Sequence, residues 1–170
     1  MSTKTRILVA SLTLSAAAFV GLTTNEGYTS VAIIPTKGDV PTLGFGSTTH
    51  ADGRAVKMGD STTPPKALAR TLAYIQADEA DMRKTLEGVA LHQSEYDVYI
   101  DWRYQYGATA WRSSSMLREL KAGNYPAACQ ALLRYRFSAG YDCSTPGNRI
   151  CPGVWTRQLK RHAACMAAQS

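Results

Sequence analysis

The sequence predicts an α+β fold in which a small β-hairpin near the N-terminus is followed by a larger, mostly helical body. Two observations predict it. From Val31 to Ser47 β-branched and turn-forming residues dominate, whereas from Thr63 onward apolar residues recur at helical spacing. The length of 170 residues suits one compact domain, and 45% hydrophobic with 19% charged residues excludes a disordered or fibrous chain. Lys and Arg outnumber Asp and Glu by 19 to 13, a net charge of +6. That excludes an acidic tail protein and favours an anionic partner: nucleic acid, anionic lipid or bacterial wall polymer.

The first element is apolar. Lys4 and Arg6 precede sixteen uncharged residues, Ile7 to Leu22, and no acid occurs before Glu26, the outline of an export signal. The stretch is short for a permanent span, which needs about 20 residues. Half of it is Ala, Ser, Thr or Gly, so a helix of this composition gains little from lipid and can leave it. Two fates are open: cleavage after Ala18 in the Ala16-Ala17-Ala18 run, or uncut insertion as an anchor that later slips out whole. Loss of the first 23 residues would remove only the charges of Lys4 and Arg6, so most of the basic bias belongs to the remainder.

Val31, Ile33 and Ile34, then Pro35-Thr36-Lys37-Gly38-Asp39, then Val40 to Phe45, predict two short strands around a glycine-containing turn. Thr63-Pro64-Pro65 predicts a helix start, with the Thr63 hydroxyl as cap. Leu68, Leu72, Ile75, Met82 and Leu86 then form one apolar face. Ser94 with Asp97 predicts the next start, with Tyr96, Tyr99, Ile100, Arg103 and Tyr106 on one side, Trp102 towards the other, and Gly107 as the stop. Further helices are expected over about Ser114–Leu120, Pro126–Phe137 and Pro152–Met166. The four cysteines, Cys129, Cys143, Cys151 and Cys165, carry no zinc spacing and fit an exported, disulfide-bonded chain. Of three pairings, Cys143 with Cys151 across a Pro/Gly/Asn loop and Cys129 with Cys165 between two helices is favoured; buried free thiols are the alternative.

Chemistry concentrates around the hairpin. Glu26 ends the small-residue helix with Gly27 behind it, and shielding by Phe19, Val20 and Leu22 would let its carboxyl hold a proton near neutrality, as a general acid must. Asp39 lies in the turn and Thr42 starts the second strand, where Gly44 and Gly46 alternate and leave one strand face bare for close approach. A hairpin folded beside the helix end would set Glu26 and Asp39 on opposite walls of one groove, the arrangement that glycosidic hydrolysis requires, with Thr42 orienting water.

Glu26-Gly27-Tyr28 and Gly38 to Thr48 (Gly-Asp-Val-Pro-Thr-Leu-Gly-Phe-Gly-Ser-Thr) resemble the catalytic region of phage-type muramidases, glycoside hydrolase family 24. Tyr104 to Gly107, Ala110-Trp111, Ser115 to Tyr125 and Gly153-Val154-Trp155 with Arg157 are similar to the family's helical segments. The resemblance covers nearly everything after residue 25. It implies a lysozyme-like fold and an endolysin that hydrolyses the β-1,4 bond between N-acetylmuramic acid and N-acetylglucosamine in peptidoglycan, without cofactor or metal, causing host lysis. It also implies Glu26 as general acid, Thr42 as water-positioning residue and Asp39 as the second acid. The family commonly sets that acid about nine residues after the Glu and six before the Thr. Here those offsets fall on Pro35 and Thr36, and Asp39 is the acid between Glu26 and Thr42, in a turn rebuilt around Gly38. Gln158 and Arg161 stand where the family usually has an arginine and an acid, which removes a supporting salt bridge.

By the same resemblance residues 1–23 form a signal-anchor-release segment and 24–170 the catalytic domain. The monomeric enzyme is then tethered to the host inner membrane and freed into the periplasm; cleavage after Ala18 would leave seven residues before Glu26 and fray the helix that carries it. The competing readings are a lytic transglycosylase on the same fold and a non-catalytic peptidoglycan-binding protein. Nucleic-acid binding has no recognition motif behind it. His50, His92 and His162 make no ligand pair and are expected at the surface or in caps. The aromatics from Tyr96 to Trp111 are expected mainly in the core, Asp52-Gly53 in a turn and Glu79 within the apolar stripe. Arg134, Arg136, Arg157, Lys160 and Arg161 either steer the enzyme to anionic wall or form a solvated face.

Overall fold

The computed structural model describes residues 5–35 and 38–169. The chain divides into two compact units, a hairpin unit (Ser15–Ala80) and a helical unit made of the residues up to Leu14 together with Asp81 onward. In chain order the elements are β1 (Ile7–Leu8), a 3-10 turn (Val9–Ser11), α1 (Ala16–Glu26), β2 (Thr29–Ile33), β3 (Thr42–Gly44) and α2 (Pro64–Thr85), which contributes to both units. Then follow β4 (Ala90–Leu91), α3 (Gln93–Arg112), α4 (Ser115–Lys121), α5 (Tyr125–Ala131), β5 (Phe137–Ser138), β6 (Tyr141–Asp142) and α6 (Pro152–Ala167).

The apolar stretch Ile7–Leu22 is not one helix. Leu12 and Ser15 are extended, and Ser15 Oγ accepts from Ala18 N at 3.1 Å, so α1 opens only at Ala16. No helix among the described residues is long and apolar enough to cross a membrane. Ile7 and Leu8 instead pair antiparallel with Leu91 and Ala90 of β4, and Val9 and Leu12 are buried. Lys4 and the hairpin residues Thr36 and Lys37 lie outside the described residues.

In the hairpin unit β2 pairs with β3 on one side, Thr29 opposite Gly44 and Ile33 opposite Thr42. Four steps along β2 thus match two along β3, a bulge that bends the longer strand. The other edge of β2 is bonded by Ala32 N to Asp60 O (2.9 Å) and Thr62 N to Ser30 O (2.9 Å). Ala32, Leu43 and Val56 form a small core beneath it. On α2 the buried positions are Ala67, Thr71, Ile75, Glu79 and Met82, with Leu86 buried just past its end, whereas Leu68 and Leu72 are exposed. The expected apolar face holds at Ile75, Met82 and Leu86 and fails in the opening turns, where Ala67 and Thr71, too small to stand out by hydropathy, occupy the inward face in place of Leu68 and Leu72.

In the helical unit α3 is buried almost all round, not on one side. Trp102 stacks on Tyr106 (4.7 Å) and meets the Tyr135 ring edge-on (4.6 Å), and Tyr96, Tyr99 and Trp111 are fully buried with it. The helix starts at His92, not at Ser94: Glu95 Oε2 accepts from His92 N at 2.7 Å and closes the first turn. Gly107, at φ +82, breaks it as expected. The helix expected to reach Phe137 stops at Ala131, with a 3-10 turn to Arg134, because Phe137 and Ser138 pair with Asp142 and Tyr141. Cys129 is bonded to Cys165, joining α5 to α6, and Cys143 to Cys151 across the loop before α6.

Arg157 and Arg161 neither steer nor form a solvated face. Asp101 of α3 accepts from Arg157 Nη2 (2.6 Å) and Arg161 Nε (2.5 Å) of α6, while Gln158 Nε2 donates to the Tyr106 hydroxyl (3.2 Å) and to Tyr135 O (3.0 Å). The salt bridge that Gln158 and Arg161 seemed to forfeit is thus rebuilt with an acid from another helix. Burial works against the Asp101 charge, but the Arg157 hydrogen bond and the Arg161 and Arg157 charges outweigh it and hold the carboxyl below its ordinary value. A depressed folded pKa stabilises fully above the unfolded value, about 3.9, and loses that stabilisation as pH falls through the folded value. Asp101→Asn, which strands a buried Arg161, is expected to cost about 3 kcal/mol at neutral pH. Thermal melts over roughly pH 5 to pH 2 should then show a flatter acid limb than the parent chain.

Candidate active site

Glu26 is the last residue of α1 and half-buried; Gly27 follows at φ +70 and its N–H bonds to Thr23 O at 3.2 Å, ending the helix where the sequence placed the turn. Leu22 is buried and Phe19 half-buried behind it, but Val20 is 61% exposed and shields nothing. Of the glycines that follow Thr42, Gly44 ends β3 opposite Thr29 and Gly46 lies beyond the strand. Leu43 and Ser47 bond each other in both directions (2.9 and 3.0 Å), so Gly44, Phe45 and Gly46 form a tight turn, with φ +67 at Gly44 and +81 at Gly46. Gly44 also has a steric reason. A Cβ on Gly44 would lie 2.8 Å from Ala67 Cβ of α2, and one on Gly46 would lie 3.7 Å from Glu26 Oε2. The first permits strand and helix to meet; the second is an ordinary contact distance, and it is the φ of +81 that calls for glycine at position 46.

Thr42 enters this turn from β3, half-buried, its Oγ1 donating to Ile33 O across the strand pair at 3.5 Å. Asp39 is exposed in the loop before β3, next to Gly38 at φ +93. The structure therefore joins Glu26 to the glycine turn next to Thr42 and sets Asp39 on the exposed loop leading into them. Among the described residues no three His, Cys, Asp or Glu are grouped so as to hold a metal ion.

His50 and Asp60 act as supports of the hairpin, a role for Asp60 that no local pattern signals. His50 Nε2 pairs with Asp60 Oδ2 at 2.8 Å, and the same oxygen accepts from Lys57 N at 2.8 Å. Asp60 is thereby fixed where its own carbonyl holds Ala32 of β2. The Lys57 amide and the His50 ring hold its carboxyl below the ordinary value. Asp52-Gly53 is turn chemistry, as expected, with Arg54 N bonded to Asp52 Oδ1 at 3.0 Å.

The phage lysozyme family model matches residues 23–160, a span that contains Glu26, Asp39, Thr42 and the glycine turn. The chain belongs to the phage lysozyme family. Over 106 residues it is 33% identical to an endolysin of Salmonella phage P22, a match spanning 61% of this chain and 69% of that one. A solved P22 lysozyme variant superposes with TM-score 0.72 at 27% identity, over 91% of this chain and 99% of that one. An endolysin from Escherichia coli O157:H7 phage FAHEc1 superposes with TM-score 0.76 over 92% and 94% of the two chains; at 23% identity that likeness bears on the fold alone. As a phage lysozyme the chain is a glycosidase of peptidoglycan, an endolysin with a lysozyme-like α+β fold. The family match opens three residues before Glu26, leaving the apolar stretch up to Leu22 outside it.

Proposed function

We propose that this lysozyme cleaves the β-1,4 bond between N-acetylmuramic acid and N-acetylglucosamine with Glu26 as general acid, Asp39 as the second carboxylate and Thr42 as the water-positioning residue. The observation that carries the reading is the approach of the Glu26 carboxylate to the turn that follows Thr42, with Glu26 Oε2 3.7 Å from the position a Cβ on Gly46 would take. In the reaction Glu26 gives its proton to the glycosidic oxygen as the bond to the anomeric carbon breaks. Thr42 Oγ1, its proton directed to Ile33 O, keeps lone pairs to accept a hydrogen bond from the attacking water. The Asp39 carboxylate takes the proton that this water releases.

Mass analysis of digested peptidoglycan tests the reaction. Each cleavage is expected to add one water, and a product carrying an anhydro sugar would replace hydrolysis by transglycosylation. Asp39→Asn should lower turnover about 100-fold with little change in KM; full activity in that variant would remove Asp39 from the mechanism.

The proposal extends to the N-terminal segment, retained uncut, tethering a monomeric enzyme to the host inner membrane until its release into the periplasm lyses the cell. Two disulfides suit an oxidising compartment. Retention is supported by what residues 6–12 contact. Arg6 donates to both carboxylate oxygens of Glu95 at 3.2 Å and to Gln169 Oε1 at 2.8 Å, with its guanidinium 3.7 Å over the Tyr125 ring. Intact mass of the periplasmic protein is expected to equal the full chain less four thiol hydrogens; a species starting at Phe19 would contradict retention.

A further inference from the structure

The hairpin unit holds a cavity of about 520 Å³ that none of Glu26, Asp39 and Thr42 lines. Its floor is built from small apolar groups, Leu43 and Val56 beside Ala67 and Ala73, and its walls carry hydroxyls such as Thr49 and Thr62. The volume lies within the range of small-ligand sites, roughly 300–1,000 Å³. Among the described residues no acid lines it, whereas Lys66 and Arg70 do. These two cations stand four apart in the opening turns of α2, hence on one face. Arg70 is already oriented: its Nε donates to Thr49 O at 3.1 Å and its Nη2 to Thr49 Oγ1 at 2.5 Å. A guanidinium fixed before a ligand arrives loses little freedom on binding. His50, which also lines the cavity, is paired with Asp60 at 2.8 Å.

We infer that this cavity is a second binding site, for a peptide end that bears methyl side chains and a free carboxylate. The alanine methyls and Val56 accept groups of methyl size, the hydroxyls match peptide amides, and Lys66 with Arg70 supplies the countercharge for one terminal carboxylate. An acyl chain would find too many hydroxyls, and a bare anion would leave the apolar floor wet. The inference rests on the peptidoglycan reading, since the wall polymer presents alanine-terminated peptides along each glycan strand. A site away from Glu26 that holds such a peptide would raise the time the enzyme spends on the polymer without entering the chemistry.

Calorimetric titration of the full chain with N-acetyl-D-alanyl-D-alanine, its C-terminal amide and inorganic phosphate tests this. The acid should bind saturably, with the amide and phosphate each at least about fivefold weaker, about 1 kcal/mol. Lys66→Ala, which removes countercharge, and Ala73→Phe, which fills the cavity from an exposed helix position, should each weaken the acid by a similar factor. Both variants should cleave short, peptide-free glycan at the parental rate. Equal binding of acid and amide, equal binding of phosphate, no saturable binding of the acid, or indifference to both substitutions would each overturn the inference. Absence of binding in a chain that still hydrolyses wall counts against this site alone; binding in a chain that yields no hydrolysis counts against the catalytic proposal alone.

Discussion

Glu26→Gln is expected to abolish wall clearing, lowering the hydrolytic rate at least about 1,000-fold, while circular dichroism and melting temperature stay near those of the parent. The change keeps the size and shape of the side chain and removes its ability to deliver a proton to the leaving oxygen. Glu26 is half-buried at the end of α1, and the turn there is closed by backbone, Gly27 N to Thr23 O, so the substitution leaves the helix end intact. Gly46→Ala separates geometry from chemistry at the same place. Its Cβ would sit 3.7 Å from Glu26 Oε2 on a backbone at φ +81 that only glycine adopts without strain. Activity should fall with Glu26 still present, because relief of that strain shifts the turn that faces the carboxylate. Wall clearing by Glu26→Gln at the parental rate would remove Glu26 from its role.

Pro64-Pro65, Pro152 and Ser114 mark helix starts by chemistry that acts within a turn, and all three helices begin there. Glu26 before Gly27 is equally local. The second strand ends at Gly44 and not at Phe45: glycines two apart fit an alternating strand as well as a turn, and only the mutual bonding of Leu43 and Ser47 shows where the chain turns back. Asp101 with Arg161 carries no signal at all at sequence level. The partners are 60 positions apart on different helices, and each read alone is an ordinary surface charge. Arg103 is similar: fully buried, it bonds Asp81 at 2.9 Å and lies over the Trp111 ring, contacts that require the folded unit.

Removing residues 1–18, the cut a signal peptidase would make after Ala18, is expected to leave a chain that does not fold to a stable enzyme. Glu95 is 0% exposed, and Arg6 is the cation that meets its carboxylate; a buried charge deprived of its partner costs about 3–5 kcal/mol. Val9 and Leu12 are buried too, each worth about 1.5–3 kcal/mol, and Ser15 caps α1 for about 1 kcal/mol more. Such losses together are comparable with the whole stability of a typical domain, about 5–15 kcal/mol. Arg6→Ala isolates the first of them. It should lower the melting temperature clearly, whereas Arg6→Ala combined with Glu95→Gln should recover part of the loss, because no unpaired charge then remains inside. Residues 6–12 thus have a structural role that a disposable signal lacks: Arg6 meets the buried Glu95, and Val9 and Leu12 are buried in the folded chain. A truncated chain that melts with the full one, or a double variant no more stable than Arg6→Ala, would detach that stretch from the fold and with it the case for an uncut segment.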